Sequence, residues 1–445
     1  MDASQLNWLS ATDAARAIRD GAISAEQLTE ACLERVREVD ERVQAWAFLD
    51  PEHALRQARA LDAQRREGRP TGPLHGVPVA IKDIIDTEDM PTEDGTVLHA
   101  GRTPSRDAAV VAMLRAAGAV IFGKTVTTEL ATYAPGKTRN PHNPEHTPGG
   151  SSSGSAAAVA AGMVPLALGS QTNGSVIRPA SFCGVYGFKP THGLIPRTGV
   201  LKLSRTLDQM GTFARSIEDS ALLAEQLVGY DAGDPDTRPS ARPPLVEMAG
   251  AEPPLLPQLA FVKGPVWDRA TEETREGFAE LVAELGGRVF EIDLGDSAQR
   301  ALEDHRTIME AEMAANLDAE WEKGRDRISP SLRAQLERGR RITALDYQRA
   351  CARIPRINAG FDDIFERCEA IVTPATAGTA PRGLDSTGDP AFCTLWTLCG
   401  MPSLSLPLMR GGNGLPLGVQ LVGPRDGDAR LLRTARWLAG QLTGH

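Results

Sequence analysis

Apolar positions along this chain follow a helical rhythm in some stretches and run almost unbroken in others. Over residues 1–65 the rhythm is helical. Ser24 with Gln27 forms a capping box, and Leu28, Cys32, Val36 and Val39 follow at helical spacing. A second helix is predicted over Glu52–Arg66. Gly72-Pro73-Leu74-His75-Gly76 then makes a turn, and Val77–Ile85 is apolar nearly throughout, the pattern of a strand covered on both faces. A helix over Ala108–Ala117 leads through Gly118 to a strand, Ala119–Phe122. A small-residue helix is predicted over Ser155–Gly162 and a short strand over Val164–Leu168.

Residues 231–258 break the pattern. Pro243-Pro244 and Pro253-Pro254 mark an extended crossover there. Beyond it, the strand Leu259–Val262, the helix Glu272–Leu285 and the strand Arg288–Ile292 repeat the alternation. Polar helices are predicted over 297–323 and 343–367, strands over Ala370–Thr373, Pro402–Leu408 and Gly418–Val422, and a closing helix over Asp428–Leu442. Alternating elements of this kind predict an α/β fold: a large mixed, mostly parallel central sheet with helices on both faces. The expected organisation is one domain over 1–445, with a helical region (1–65), a core (66–230), the proline-rich crossover (231–258) and a remainder carrying pocket loops (259–445). A division into two domains at the prolines fits the pattern equally well.

Composition narrows the function. A hydrophobic share of 41% and a charged share of 24% suit a globular protein. The net charge of −10 disfavours a nucleic-acid surface. No apolar run approaches the roughly 18 residues of a membrane span. Met1-Asp2-Ala3-Ser4-Gln5 has no basic or apolar leader pattern, so no secretory signal is expected. Six cysteines (32, 183, 351, 368, 393 and 399) are scattered without C-x-x-C spacing, as in reduced thiols of a cytoplasmic protein. His142 and His146 are four apart, but Pro141 and Pro144 argue against a helix there. They read as a solvated loop, and no metal or cofactor is expected.

The chemistry concentrates in two serine-bearing turns and one lysine. Gly149-Gly150-Ser151-Ser152-Ser153-Gly154-Ser155 precedes an ordered-looking apolar segment, which separates it from an ordinary flexible linker. Gly169-Ser170-Gln171-Thr172-Asn173-Gly174-Ser175 is the second turn, and Lys82 ends the run Val79-Ala80-Ile81. No G-K-[ST] element follows either turn and no G-x-S-x-G surrounds Ser151 or Ser175, so a P-loop and a nucleophile elbow are both disfavoured. Nucleophilic amide hydrolysis needs an activated hydroxyl, a base that later becomes an acid, and N–H donors for the oxyanion. The second turn can supply hydroxyl and donors, Lys82 the base, and Ser151 a relay between them. Lysine serves as a base only where burial or a nearby cation destabilises its ammonium.

At these residues the chain resembles the amidase signature family. Gly72 to Asp83 is similar to the family's lysine motif, Thr147 to Ser152 to its serine-rich motif, and Gly174-Ser175 with Arg178-Pro179-Ala180 and Cys183-Gly184 to its nucleophile segment. Ser151 and Ser175 are 24 apart, matching the family spacing. Phe188 to Thr191, Asp208 to Gly211 and Pro416 to Gln420 extend the likeness, which runs from about Ser24 to Leu442 and is weakest between 231 and 370. The resemblance implies a Ser-cisSer-Lys triad: Ser175 as nucleophile, Ser151 as relay after a cis bond from Gly150, and Lys82 as general base. It implies an oxyanion hole from Thr172, Asn173, Gly174 and Ser175, with Ser152 supporting Lys82 or the Ser151 turn. Ser153 and Asn173 depart from the common pattern, which has glycine at both.

The activity so implied is hydrolysis of small amides through an acyl-enzyme, with esters and carbamates as further substrates. Two other readings stand beside it: the amidase component of a tRNA-dependent glutamine amidotransferase (its A subunit), and a non-catalytic binding protein on the same fold. Arg178 either faces an anionic substrate group, as in malonamidase-type members, or is a structural arginine paired with a carboxylate. Tyr133 and Trp396, with Pro135, Trp267 and Thr376, are placed near the substrate by segment position alone. A monomer or homodimer, without nucleic-acid or membrane partners, is expected.

Overall fold

The computed structural model describes residues 3–443. Its centre is one eleven-stranded sheet. The strands are β1 (Trp46–Phe48), β2 (Pro78–Lys82), β3 (Val120–Thr125), β4 (Leu166–Gln171), β5 (Tyr186–Lys189), β6 (Gln209–Ala214), β7 (Leu259–Val262), β8 (Val289–Ile292), β9 (Ala370–Pro374), β10 (Ser403–Arg410) and β11 (Pro416–Val422). Their spatial order is β1-β3-β2-β4-β6-β5-β10-β11-β9-β7-β8. The antiparallel β5–β10 pair joins strands from before and after the proline stretch, so one sheet spans both halves of the chain.

Alternation along the strands explains why both faces are covered. Val79 and Ile81 enter one apolar cluster, which also holds Val110, Val111 and Leu114 of the helix Ala109–Ala116. Ala80 enters another, with Leu28 and Cys32 of the helix Ala25–Val43. Neighbouring side chains of a strand point to opposite faces, so a run apolar at every position needs helices above and below. The far half repeats the design: Leu404, Leu406, Val419 and Leu421 pack with Phe278 of the helix Glu272–Leu285 and Leu431 of the closing helix.

The mixed sheet matches the expected fold class, but the parallel share is smaller than expected. Among the described residues, four strand pairings are parallel and six antiparallel. The difference comes from β5 and β6, short glycine-containing strands that carry no periodic signal, and from the β10–β11 hairpin around Gly411–Gly414.

The small-residue helix runs over Ser153–Ala160, two residues earlier than its predicted start, so the serine cluster is part of a helix entry. The polar segment between β8 and β9 forms four helices, Asp296–Asn316, Asp318–Gly324, Pro330–Gly339 and Ala344–Phe365. They make a helical cap beside the carboxyl ends of β2 and β4. The stretch 231–258 is irregular except for the short helix Leu245–Ala249.

Candidate active site

Parallel pairing of β2 with β4 brings the lysine to the serines. In the observed register Ile81 pairs with Leu168, so Lys82 leaves the sheet beside Gly169 and Ser170. Lys82 is fully buried. Its Nζ lies 2.7 Å from Ser151 Oγ and 2.9 Å from Ser170 Oγ. Among the described residues no carboxylate comes within ion-pair distance of it. Burial pushes its pKa down to about 7, against an opposing pull from the Asp208 carboxylate.

The serine-rich turn is held by backbone geometry and close approach. Gly149 has φ +83°, and a Cβ there would stand 2.8 Å from Pro179 Cα. The Gly150–Ser151 peptide bond is cis. Ser152 Oγ donates to Ser170 O at 3.2 Å and accepts from Ser170 N at 3.3 Å, so it fixes the end of β4 rather than touching Lys82. That contact needs glycine at 169, where a Cβ would meet Ser152 Oγ at 2.7 Å. Ser153 Oγ donates to Val126 O at 3.3 Å, tying its helix to the residue just past β3.

The second turn presents a row of free donors. Among the described residues, the N–H groups of Asn173, Gly174 and Ser175 donate to no protein acceptor. Gln171 creates this arrangement. Its Oε1 accepts from Val176 N (2.8 Å) and Ile177 N (3.0 Å), the amides just past Ser175. Its Nε2 donates to Thr397 Oγ1 at 2.9 Å, and Thr397 Oγ1 donates to Asn173 O at 2.6 Å. On the other side Thr172 Oγ1 donates to Asp208 at 2.7 Å. His305 Nε2 lies 2.9 Å from Thr172 O. Burial pushes the pKa of His305 down to about 4, so the ring is neutral at pH 7 and donates from Nε2.

Asn173 fills the space its departure from glycine creates without loosening the turn. Its Nδ2 donates to Tyr133 Oη at 3.0 Å, and its Oδ1 accepts from Thr394 Oγ1 at 2.7 Å. Ser175, Tyr133, Asn173 and Arg178 line one narrow cavity of about 20 Å³, room for one water-sized group. Met309, Met313 and Gln335 of the cap close it. A vestibule of about 510 Å³ adjoins it and shares Tyr133, Asn173, Met309 and Gln335.

Arg178 is fully buried, yet among the described residues it pairs with no carboxylate. Its Nη2 donates to Gly150 O (2.7 Å) and Thr387 Oγ1 (3.1 Å), while Nε and Nη1 have no partner among the described residues. The structural reading that pairs it with a carboxylate is therefore corrected. Trp396, expected in the pocket, packs in the core against Phe361 with ring centroids 5.3 Å apart. Its helix, Ala391–Leu398, turns Thr394 and Thr397 toward the site instead. Trp267 packs on Phe261, and Thr376 bonds Gly378 O and Ser181.

Sequence reasoning missed Ser170, Gln171, Thr397 and Gln335. Ser170 and Gln171 lie inside the quoted turn, but their roles come from pairing across the sheet. Thr397 and Gln335 arrive from distant helices, and no local signal marks them.

The model of the amidase family matches residues 27–432. The chain belongs to the amidase signature family. The A subunit of the glutamyl-tRNA(Gln) amidotransferase from Symbiobacterium thermophilum is 36% identical over 98% of this chain and 97% of that protein. Among solved structures, a vestigial protein complex that reveals the evolutionary origins of an s-triazine catabolic enzyme superposes with TM-score 0.90 at 28% identity, covering 98% and 99% of the two chains. Peptide amidase from Stenotrophomonas maltophilia superposes with TM-score 0.84 at 28% identity, covering 98% and 97%. Among the described residues no helix is long and apolar enough to cross a membrane, and no cluster of three metal-ligating side chains occurs.

Proposed function

We propose that this family member is a serine amidohydrolase that cleaves small amides, with esters and carbamates as further substrates. The observation that carries this reading is Lys82. It is buried and bonded to Ser151, and among the described residues it has no carboxylate partner and lies beside a turn of unpaired N–H groups. With its pKa near 7, Lys82 is substantially neutral at pH 7 and can accept a proton.

In this reading Ser175 Oγ attacks the substrate carbonyl while its proton passes to Ser151 and the proton of Ser151 passes to Lys82. The tetrahedral oxyanion sits on the free amides of Asn173, Gly174 and Ser175, which need no rearrangement to receive it. Collapse breaks the C–N bond, and Lys82 returns the proton through Ser151 to the leaving nitrogen. Water then attacks the acyl-enzyme by the same relay and restores Ser175. Ser170 holds Lys82 from the other side, which directs the amine lone pair toward Ser151. The two unpartnered nitrogens of Arg178, Nε and Nη1, supply donors for a carboxylate or carbonyl on the acyl part.

A second reading is the amidase component of a tRNA-dependent amidotransferase, favoured by the 36% identity over nearly the whole length of both proteins. The chemistry would be the same, with glutamine as the amide and ammonia passed to a partner. Hydrolysis of a chromogenic anilide and a matched aryl carbamate by the isolated chain and by Ser175→Ala separates the readings. The expected result is turnover by the isolated chain that falls about 10⁴-fold or more in the variant. Activity only on glutamine, or only with added partner proteins, would replace the first reading by the second.

A further inference from the structure

Gln335 is 6% exposed, and among the described residues its Oε1 has no hydrogen-bond partner. Its helix, Pro330–Gly339, has little freedom to shift and find one. Leu332 and Leu336 are buried, and Arg338 grips Glu310 at 2.6 and 3.0 Å. Gly339 lies against the backbone of Glu310 so closely that a Cβ would stand 2.0 Å from its carbonyl oxygen. Gln335 lines both the narrow cavity of Ser175 and the vestibule, at the junction of the two. Arg178, with unpaired Nε and Nη1, lines the same narrow cavity. The site therefore holds a free acceptor from the cap and free donors from the core that do not satisfy each other. Nor can Asn173 serve Gln335, because Tyr133 and Thr394 already engage both ends of its amide. Buried polar groups left unpaired are costly, and a site built around them rejects ligands that leave them so.

We propose that Gln335 is a specificity-determining residue whose Oε1 accepts an N–H from the far end of the substrate. The site then prefers small amides carrying a second N–H-bearing group, such as diamides and ureides, to those whose far end is tertiary or alkyl. This rests on the amidohydrolase reading. The carbonyl oxygen of that far group, one water-sized acceptor, is the part that enters the narrow cavity beside the donors of Arg178.

The test compares ammonia release from malonamide and from N,N-dimethylmalonamide, whose far end lacks the N–H. Wild type is expected to prefer malonamide by tenfold or more in kcat/KM. Gln335→Leu is expected to lose on the order of tenfold on malonamide and to change little on the dimethyl compound, erasing the preference. Gln335→Glu, which keeps an acceptor, is expected to retain it. An equal fall on both substrates in Gln335→Leu would show a merely structural role and overturn the proposal, as would a wild type without preference. Ser175-dependent cleavage of an anilide with no ammonia from either diamide would overturn it alone. No Ser175-dependent turnover of any amide would overturn the amidohydrolase reading with it.

Discussion

Lys82 and Lys189 end two strands of the same sheet, β2 and β5. Both are fully buried, and burial pushes both down to about 7. Their surroundings differ in one respect. Lys82 meets two hydroxyls, Ser151 and Ser170. Lys189 meets only acceptors: Pro190 O at 3.4 Å, Gln209 Oε1 at 2.5 Å and Met401 O. A hydroxyl both donates and accepts, so Lys82 keeps its hydrogen bonds after losing a proton. A carbonyl only accepts, so a deprotonated Lys189 leaves at least one partner unfilled. Burial makes a lysine able to titrate, and the partners decide whether titration is useful. In the proposed mechanism the first is a base; the second is a rivet between β5, β6 and the turn before β10.

Replacing each lysine by methionine puts the contrast at risk most directly. Lys82→Met is expected to lower kcat/KM by about 10⁴-fold with little change in thermal midpoint, measured by anilide assay and calorimetry. Lys189→Met is expected to cost about 2–4 kcal/mol in denaturant unfolding, because three buried acceptors lose their donor, while kcat/KM of the folded protein changes little. Similar activity losses in both would erase the distinction. A smaller effect sharpens it. The proposed mechanism needs neutral Lys82, so kcat/KM should rise with pH up to about 7 and level off above. Asp208, itself pushed up to about 6 by burial, is largely ionised at pH 7 and favours the ammonium. Asp208→Asn should move the limb to lower pH, and Lys189→Met should leave it in place.

The sequence carried the helices and parallel strands well, because their apolar periods are local. The capping box at Ser24 and Gln27 is formed, and the helix Glu272–Leu285 has its predicted ends. What escaped is set by long-range pairing or by uniform burial. The helix Ala391–Leu398 is buried at every position and so has no polar face to reveal its period. Helix Pro330–Gly339 falls in the gap between two longer predicted helices, though Ser329 caps it and Pro330 opens it. Of the proposed triad, Lys82, Ser151 and Ser175 each sit in a compact motif, and the structure brings Lys82 and Ser151 into contact. Gln171 stands beside them unmarked, since only the fold shows that its amide binds the backbone on both sides of the turn.

The cap has a consequence beyond the chemistry. Lys82, Ser151, Ser170 and Ser175 all precede residue 176, whereas His305, Met309, Met313 and Gln335 come from one uninterrupted stretch between β8 and β9. The proposed reacting groups and this lining of the pocket are therefore inherited as separate blocks of the gene. A recombination or rewrite confined to the second block can give the enzyme a new diet while leaving its bond-breaking apparatus unedited.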